Sequence, residues 1–523
     1  MRLPPRPAVS LITVLLRVVL MVLVVFTMSS EFSPSVWAQG SLSSLIVSIP
    51  TSTGPIPVTE DSHPFAAANV AQTEIDLSTY GYVEEEFFIS GSANVYNWET
   101  DGGLTVRTPG LRYTTRILVR RPGDAGDFSG TVLVDVANQG AGFDTYAIWG
   151  QLNQHLLSRG HAWVAVTVFS RNIGALRMFD IRRYGRLAYP QPVEDCGRVR
   201  PDSWDRPAQF FPRSEEGIRW DVISQVGALL KSGGASSPLS GFEVEYVYAG
   251  MQSGGDLPTY ANAIHRNVRL ANGAPVYDAY LIKESGGPRT LNACEAALGD
   301  SDPRRIIQNV GAPVIQIIAQ GSISPSIRRP DSDVRGDRFR QYEVPGASHF
   351  DESQYRYYPP VEDLAAMGVP PISAQWIFPA ECEPFGLINS FPQPYVFAGA
   401  FANLDRWVRE GTPPPRAEFL ALSGSDFIND EFGNALGGLR TPWLDVPTAT
   451  FYPGRRGGST PFRCSDNGYW VPFTWSQREA VYGSFEGYAQ RFLESVDRLV
   501  EERWLTPEDG ETIRSEFRPS GAF

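Results

Sequence analysis

Six short runs dense in β-branched and aromatic residues constrain this chain more than any other feature: "TVLVDVA", "AWVAVTV", "FEVEYVYA", "PVYDAYLI", "APVIQIIA" and "DRFRQYEV". A strand with one wet face alternates apolar and polar residues. These runs are nearly continuous in Val and Ile, so both faces need covering. Most are separated by segments of helix length, and parallel strands joined by crossover helices meet both demands. Two such helices are legible. "EEGIRWDVISQVGALLK" puts Ile218, Val222, Val226 and Leu229 on one face, and "VFAGAFANLDRWVRE" does the same with Phe397, Phe401, Leu404 and Val408. The expected class is α/β, with a mainly parallel sheet flanked by helices.

Around that core, residues 39–130 read as a β-rich extension packed on it, with strand-like "YVEEEFFISGSANVY" and "RYTTRILVRR". The core is expected over 131–350. Within it, an Arg-, Pro- and aromatic-rich insertion at about 170–214 fits neither helical nor strand period. It is placed at the carboxyl edge of the strands, like a lid. Residues 351–523 complete the domain and end in an amphipathic helix from about Gln477. A last helix follows, which Thr506 caps, Pro507 begins and Asp509 closes as a capping box.

The first residues read as a signal peptide, 1–38. Arg2, Arg6 and Arg17 precede the charge-free apolar run 18–28, and Ala38 in "SVWAQG" suits cleavage before Gln39. A retained membrane anchor is the rival reading, against which Arg17 interrupts the apolar stretch. Cleavage removes three arginines and Glu31, taking the net charge from −13 to −15. No basic patch offsets this, so nucleic acid is not an expected partner, and a membrane is one only through an uncleaved leader. Export places Cys196, Cys294, Cys382 and Cys464 where disulfides persist. Chain order favours Cys196–Cys294 and Cys382–Cys464 among three possible pairings. Their wide spacing carries no zinc pattern, and no metal is expected.

The chemistry concentrates in "YVYAGMQSGGDLPTYANAIH", residues 246–265, an apolar strand, a glycine turn and a helix start. Hydrolases present a nucleophilic serine on such an elbow, whose strained apex needs small residues two before and two after. Ser253 at the apex is flanked by Met251 and Gly255, and the methionine fits poorly. Gln252 has Gly250 and Gly254 but no nucleophile, and Met251 has Ala249 and Ser253 but an inert thioether.

A base is expected at His349, in the Gly-containing loop "EVPGASHFDE" after the last strand. His63, His155, His161 and His265 read as structural or surface residues. For the orienting acid, the turn "QGSIS" offers only Gln320 and Ser322. Glu284, just past "VYDAYLI", is the nearest substitute, with Asp331 and Asp333 as fallbacks. The loop "ANQGAGFD" supplies backbone N–H groups at Gln139 and Gly140 for an oxyanion. The same loop lacks the third glycine and ribose-binding acid of a dinucleotide site, and no cofactor is expected. With Lys231 and Lys283 the only lysines, Ser-x-x-Lys and phosphate-loop chemistry are absent too.

These segments, with "GYVEEEFFISGSA", "TTRILVRRP", "WDVISQ", "LPTYANAIH", "LDRWVREGTPPP" and "GNALGGLRTPWLDVPTATF", resemble the exported bacterial "alpha/beta hydrolase domain" family, of mostly unassigned substrates. The resemblance implies the α/β-hydrolase fold and esterase-like chemistry. It also implies a departure. The family's Gly-x-Ser-Gln-Ser/Thr-Gly elbow falls on Ala249, Met251, Gln252 and Ser253, its acidic turn falls on Gln320 and Ser322, and only His349 matches a triad position. Losing a triad nucleophile costs about 10⁶ in kcat. The expected function is therefore an exported family member with a degraded triad, binding a small ester or apolar ligand weakly or without catalysis. The alternative is a carboxylic-ester hydrolase with the displaced triad Ser253, Glu284 and His349.

Overall fold

Thr51–Thr53 (β1), Tyr82–Trp98 (β2), Leu104–Pro122 (β3), Thr131–Val136 (β4), Ala162–Val166 (β5), Tyr246–Gln252 (β6), Ala279–Lys283 (β7), Val314–Ala319 (β8) and Phe339–Val344 (β9) join in one sheet. Its spatial order is β9-β8-β7-β6-β4-β5-β3-β2-β1. Strands β4 to β9 are the six apolar runs, and every pairing among them is parallel. This computed structural model describes residues 44–523 apart from 195, 197–212, 253, 285, 370–382, 455–463, 465–466 and 518–523. The leader 1–38, Ser253, Cys382 and the greater part of the 195–212 stretch of the insertion lie outside the described residues. Residues 43–523 form one unit.

Helices Ala147–Ser158 (α1), Arg219–Lys231 (α2), Asp256–Thr259 (α3) and Gln393–Arg409 (α4) flank the sheet. Successive residues of a strand point to opposite faces, and β4 shows why its sequence stays apolar throughout. Val132 and Val134 pack with Trp220, Val226 and Leu229 of α2, while Leu133 packs with Leu152 of α1 and Phe397 and Phe401 of α4.

The N-terminal extension lengthens the sheet: β3 pairs antiparallel with β5, and β2 with β3. Phe87, Ile89, Val95 and Tyr96 of β2 share one core with Trp220 and Val226 of α2. Ile117, Leu118 and Val119 of β3 are wholly buried at that junction. The insertion, unreadable by period, opens with a helix at Ser170–Phe179, and its Cys196 is bonded to Cys294 in the loop after β7. Cys464 is also disulfide-bonded. At the C-terminus the single helix expected from Gln477 is two, Trp475–Tyr482 and Phe485–Glu501 (α5), broken at Gly483 with φ +75°. Thr506 accepts the Asp509 N–H at 3.0 Å and caps Pro507–Glu516 (α6) as expected.

A buried ionic group ties three of these regions together. Arg116 of β3 meets Glu86 of β2 at 2.6 Å and Asp144, ahead of α1, at 3.0 Å. Arg183 of the insertion meets the other Glu86 oxygen at 2.5 Å. Asp144 also accepts from Asn172 at 2.7 Å, so the loop after β4 and the start of the insertion are held to the sheet by paired charge.

At the other end of the sheet, His155 and His161 pack against Phe401 with ring centroids 5.7 and 5.5 Å away. His161 Nδ1 meets Ser129 Oγ at 2.6 Å. Burial, aided by the neighbouring imidazole and Arg159, pushes His155 down to about 3. Burial also pushes His161 down to about 4, with Asp405 opposing and Arg409 and Arg159 assisting.

Two outcomes follow from this architecture. Unfolded imidazoles protonate near 6.5 and these two do so only near 3 and 4, so their contribution is intact above 6.5. Denaturant titrations should therefore show stability falling as the pH drops from 6.5 towards 4, and less so in His161→Gln. Cys196→Ala/Cys294→Ala, which opens a loop spanning 98 residues, should lower unfolding free energy by about 2–5 kcal/mol in the same assay.

Candidate active site

The corner after β6 comes later in the chain than the sequence reading places it. Met251 and Gln252 lie within the strand, paired in register with Ile282 and Lys283 of β7. Met251 is 1% exposed and belongs to the core on the α2 side. Neither residue has the positive φ found at Ala66, Glu284, Asn309 and Arg503. The expected elbow apex at Met251 or Gln252 is thus corrected: the strand continues through both, and the chain turns between Gln252 and Asp256. The small-residue argument misled because Met251, as an ordinary in-strand residue, finds its space in the core. The close approach that requires small residues falls elsewhere. A Cβ on Gly286 would lie 2.0 Å from the Gly254 carbonyl carbon, and Gly255 has φ +139°. Arg289 donates to the Gly254 carbonyl from the loop after β7. Ser253, the candidate nucleophile, lies outside the described residues.

His349 sits in the loop that follows β9. That loop is pinned where Gly346, at φ +76°, donates to Gln320 Oε1 at 2.8 Å and accepts from Asn389 at 2.9 Å. The His349 carbonyl accepts from Lys283 Nζ at 2.9 Å and Gln252 Nε2 at 3.2 Å. Its ring lies edge-on to Phe350, centroids 4.6 Å apart. Its Nδ1 faces Glu284 Oε2 at 3.4 Å and Ser322 Oγ at 2.9 Å.

Glu284 is 2% exposed and directly follows β7. Its φ of +83° is strained for a residue with a side chain. The strain is held by backbone pairing of its N–H to the Ile317 carbonyl at 2.8 Å and by Gln316 Nε2 on its own carbonyl at 3.1 Å. Burial alone would push its carboxyl up. Lys283 and then His349 outweigh that, with a hydrogen bond from Ser322, and the carboxyl falls to about 2.

The other sequence candidates separate cleanly. Gly140 N–H is occupied by Asn138 Oδ1 at 2.5 Å in this structure, while the Gln139 carbonyl closes a turn with Gly142 N–H at 2.9 Å. Asn138 Nδ2 donates to the Gln252 carbonyl at 2.6 Å and so joins this loop to the end of β6. Asp331 and Asp333 flank Ser332, which bridges to Phe339 at the start of β9, the opposite end from His349, and are engaged by Arg340. His63 pairs with Asp363 at 3.1 Å, and His265 meets the Tyr280 hydroxyl at 2.7 Å.

Sequence reasoning missed the roles of Lys283, Gln354 and Asp351, and gave Gln252 a different one. Lys283 and Gln252 hold the His349 carbonyl, Gln354 donates to Gln252 Oε1 at 2.9 Å, and buried Asp351 takes both its oxygens to Gln151 Nε2 at 3.1 and 3.0 Å. Burial pushes the Asp351 carboxyl up against the pull of Lys283. The available signal was a charged "KE" pair closing an otherwise apolar strand. Among the described residues, the one group close enough to share a metal is Glu194, Cys196 and Cys294, and its two sulfurs are bonded to each other.

A mainly parallel sheet whose sixth strand runs into a glycine corner, with a histidine loop after its last strand, defines the α/β-hydrolase class of fold. The chain belongs to the family described as "Alpha/beta hydrolase domain", whose model matches residues 52–515. Solved structures similar to it include a candidate dienelactone hydrolase from Klebsiella pneumoniae, 13% identical over 54% of this chain and 98% of that one, TM-score 0.26. An alpha-beta serine hydrolase homologue from Coxiella burnetii is 9% identical over 46% and 85%, TM-score 0.23. The LpqC poly(3-hydroxybutyrate) depolymerase from Bordetella parapertussis is 12% identical over 62% and 92%, TM-score 0.23. No curated protein matches the chain significantly.

Because Met251 is a core residue, Met251→Ser puts a hydroxyl where a buried thioether was. Thermal or denaturant unfolding should show a loss of about 2–4 kcal/mol, with no gain of esterase activity in the folded variant.

Proposed function

We propose that this protein is an exported carboxylic-ester hydrolase in which Ser253 is the nucleophile, His349 the general base and Glu284 the orienting acid. The single observation that carries the reading is the approach of an ionised, buried Glu284 to His349 Nδ1 at 3.4 Å. Two residues 65 positions apart, each from the loop after its own strand, meet as acid and base. A carboxylate at Nδ1 leaves Nε2 to take a proton.

In this mechanism Ser253 Oγ attacks the ester carbonyl carbon while His349 Nε2 takes its proton. The resulting imidazolium is balanced by Glu284. The oxyanion is received by the backbone N–H of Gly254 and that of Gln139, since Gly140 is engaged by Asn138. The imidazolium returns its proton to the departing alcohol, and water, activated by the same base, releases the acid. Apolar residues nearby, with Phe143, Tyr355 and Tyr358 in one buried cluster and Phe350 packed on it, favour a small ester over a charged substrate. Export is supported by the apolar segment 18–28, Ala38 and the Cys196–Cys294 disulfide.

One observation favours a second reading, a pocket that binds esters without turning them over. Ser322 Oγ lies closer to His349 Nδ1 than Glu284 does, 2.9 against 3.4 Å. A fluorophosphonate probe separates the two. The expected result is labelling of the wild type that is lost in Ser253→Ala, together with a fall in kcat of about 10²–10⁴ in Glu284→Gln. A folded wild type that binds small esters and takes no label would establish the non-catalytic reading.

A further inference from the structure

We infer that Lys283 is the positioning residue of this site: its buried ammonium holds the Glu284 carboxylate and the His349 backbone together. The inference rests on the hydrolase reading above and names the group that sets its acid.

Of 45 basic residues only Lys231 and Lys283 are lysines, and Lys283 is wholly buried. Taking an ammonium out of water costs several kcal/mol unless close partners replace the solvent. Here those partners are Glu284 Oε1 at 3.1 Å and the His349 carbonyl at 2.9 Å.

Consecutive residues of a strand point to opposite faces, so Lys283 and Glu284 would ordinarily diverge. The positive φ of Glu284 breaks that alternation immediately after β7 and lets both side chains reach the same point. Strained backbone of this kind persists where surrounding contacts impose it. The ammonium bonds to a neighbour that an unstrained strand would have turned away.

Among the described residues, the carboxylates that feel Lys283 include Glu284 and Asp351, beside the titratable His349 ring. The Asp351 oxygens are taken by Gln151 Nε2 and the Gln354 N–H. Glu284 is therefore the carboxylate that the ammonium contacts directly. Lys283 is also the largest influence opposing the upward push of burial on that carboxyl. Without it, only His349 and Ser322 are left to oppose the upward push of burial on the Glu284 carboxyl.

The test uses the full mature chain with Lys283→Met, which keeps length and removes charge, and Lys283→Arg, which keeps charge. Fluorophosphonate labelling rates are measured across pH. Lys283→Met should lose about 10²-fold near pH 6 and progressively less towards pH 9, whereas Lys283→Arg should keep the wild-type profile shape. A uniform loss at every pH, or no loss, overturns the inference.

A second readout does not depend on turnover. Carbon-13 NMR of glutamate carboxyls, with Glu284→Gln for assignment, should show Glu284 titrating far below ordinary glutamates in the wild type and well above that position in Lys283→Met. A wild-type Glu284 that titrates with ordinary glutamates overturns the inference even if Lys283→Met does not fold. If the wild type takes no label, the hydrolase reading fails, while this titration still decides whether Lys283 governs Glu284.

Discussion

Where β6 and β7 run side by side, Met251 pairs with Ile282 and Gln252 with Lys283. That register brings the end of β6 level with the last residue of β7, one position before Glu284. Because side chains alternate, a slip of one residue would exchange the sets facing the two helix layers along the whole strand. Met251 and Ile282 would leave the side they share with α2, and Lys283 would lose the direction from which it reaches the His349 carbonyl. Gln252 holds the same carbonyl from β6, so the base is fixed from both strands of the pair.

Two of the buried charge clusters among the described residues bear on this site, and both serve position more than stability. Arg116, Glu86, Asp144 and Arg183 lock the loop after β4 and the insertion to the sheet. Replacing such a network by apolar residues is often neutral or stabilising, whereas removing one member costs several kcal/mol. A network of this kind therefore constrains geometry: Asp144 cannot shift without giving up its ion pair with Arg116. Asn172 bonds both Asp144 and the Asn138 carbonyl, and Asn138 bonds the Gln252 carbonyl, so the constraint reaches the corner after β6.

The sheet was legible because burial on both faces leaves a direct imprint, near-continuous apolar residues in β4, β5 and β8. The faces of α2 and α4 were legible for the related reason that one stripe of a helix is apolar. That the extension joins the sheet edge could not be read, because a strand that joins a sheet and a strand that only lies on a core both alternate. Ser170–Phe179 was missed because its buried residues include Asn172 and Gly174, which carry no hydrophobic period. In the site, His349 and Glu284 could be proposed from their places after strands. The apex could not, because residue size was read as a constraint on the turn while Met251 was answering to the core. Lys283 was passed over because a lysine beside a glutamate usually marks a solvated strand end.

Glu284 and Ser322 together show how one imidazole is served from two adjacent strand ends. Ser322 follows β8 and reaches His349 Nδ1 with a hydroxyl, while Glu284 follows β7 and reaches the same nitrogen with a carboxylate. A hydroxyl can orient a ring but cannot balance the charge the ring acquires when protonated. A carboxylate can do both, provided it stays ionised while buried, and burial opposes that. Ser322 helps to lower the Glu284 carboxyl while it bonds the ring, and Lys283 supplies the countercharge. The two strand ends therefore do different jobs. The serine holds the ring and the acid in line, and the lysine–glutamate pair carries the charge. In the hydrolase reading, a carboxylate from β7 does its work only because an ammonium from the same strand is buried beside it.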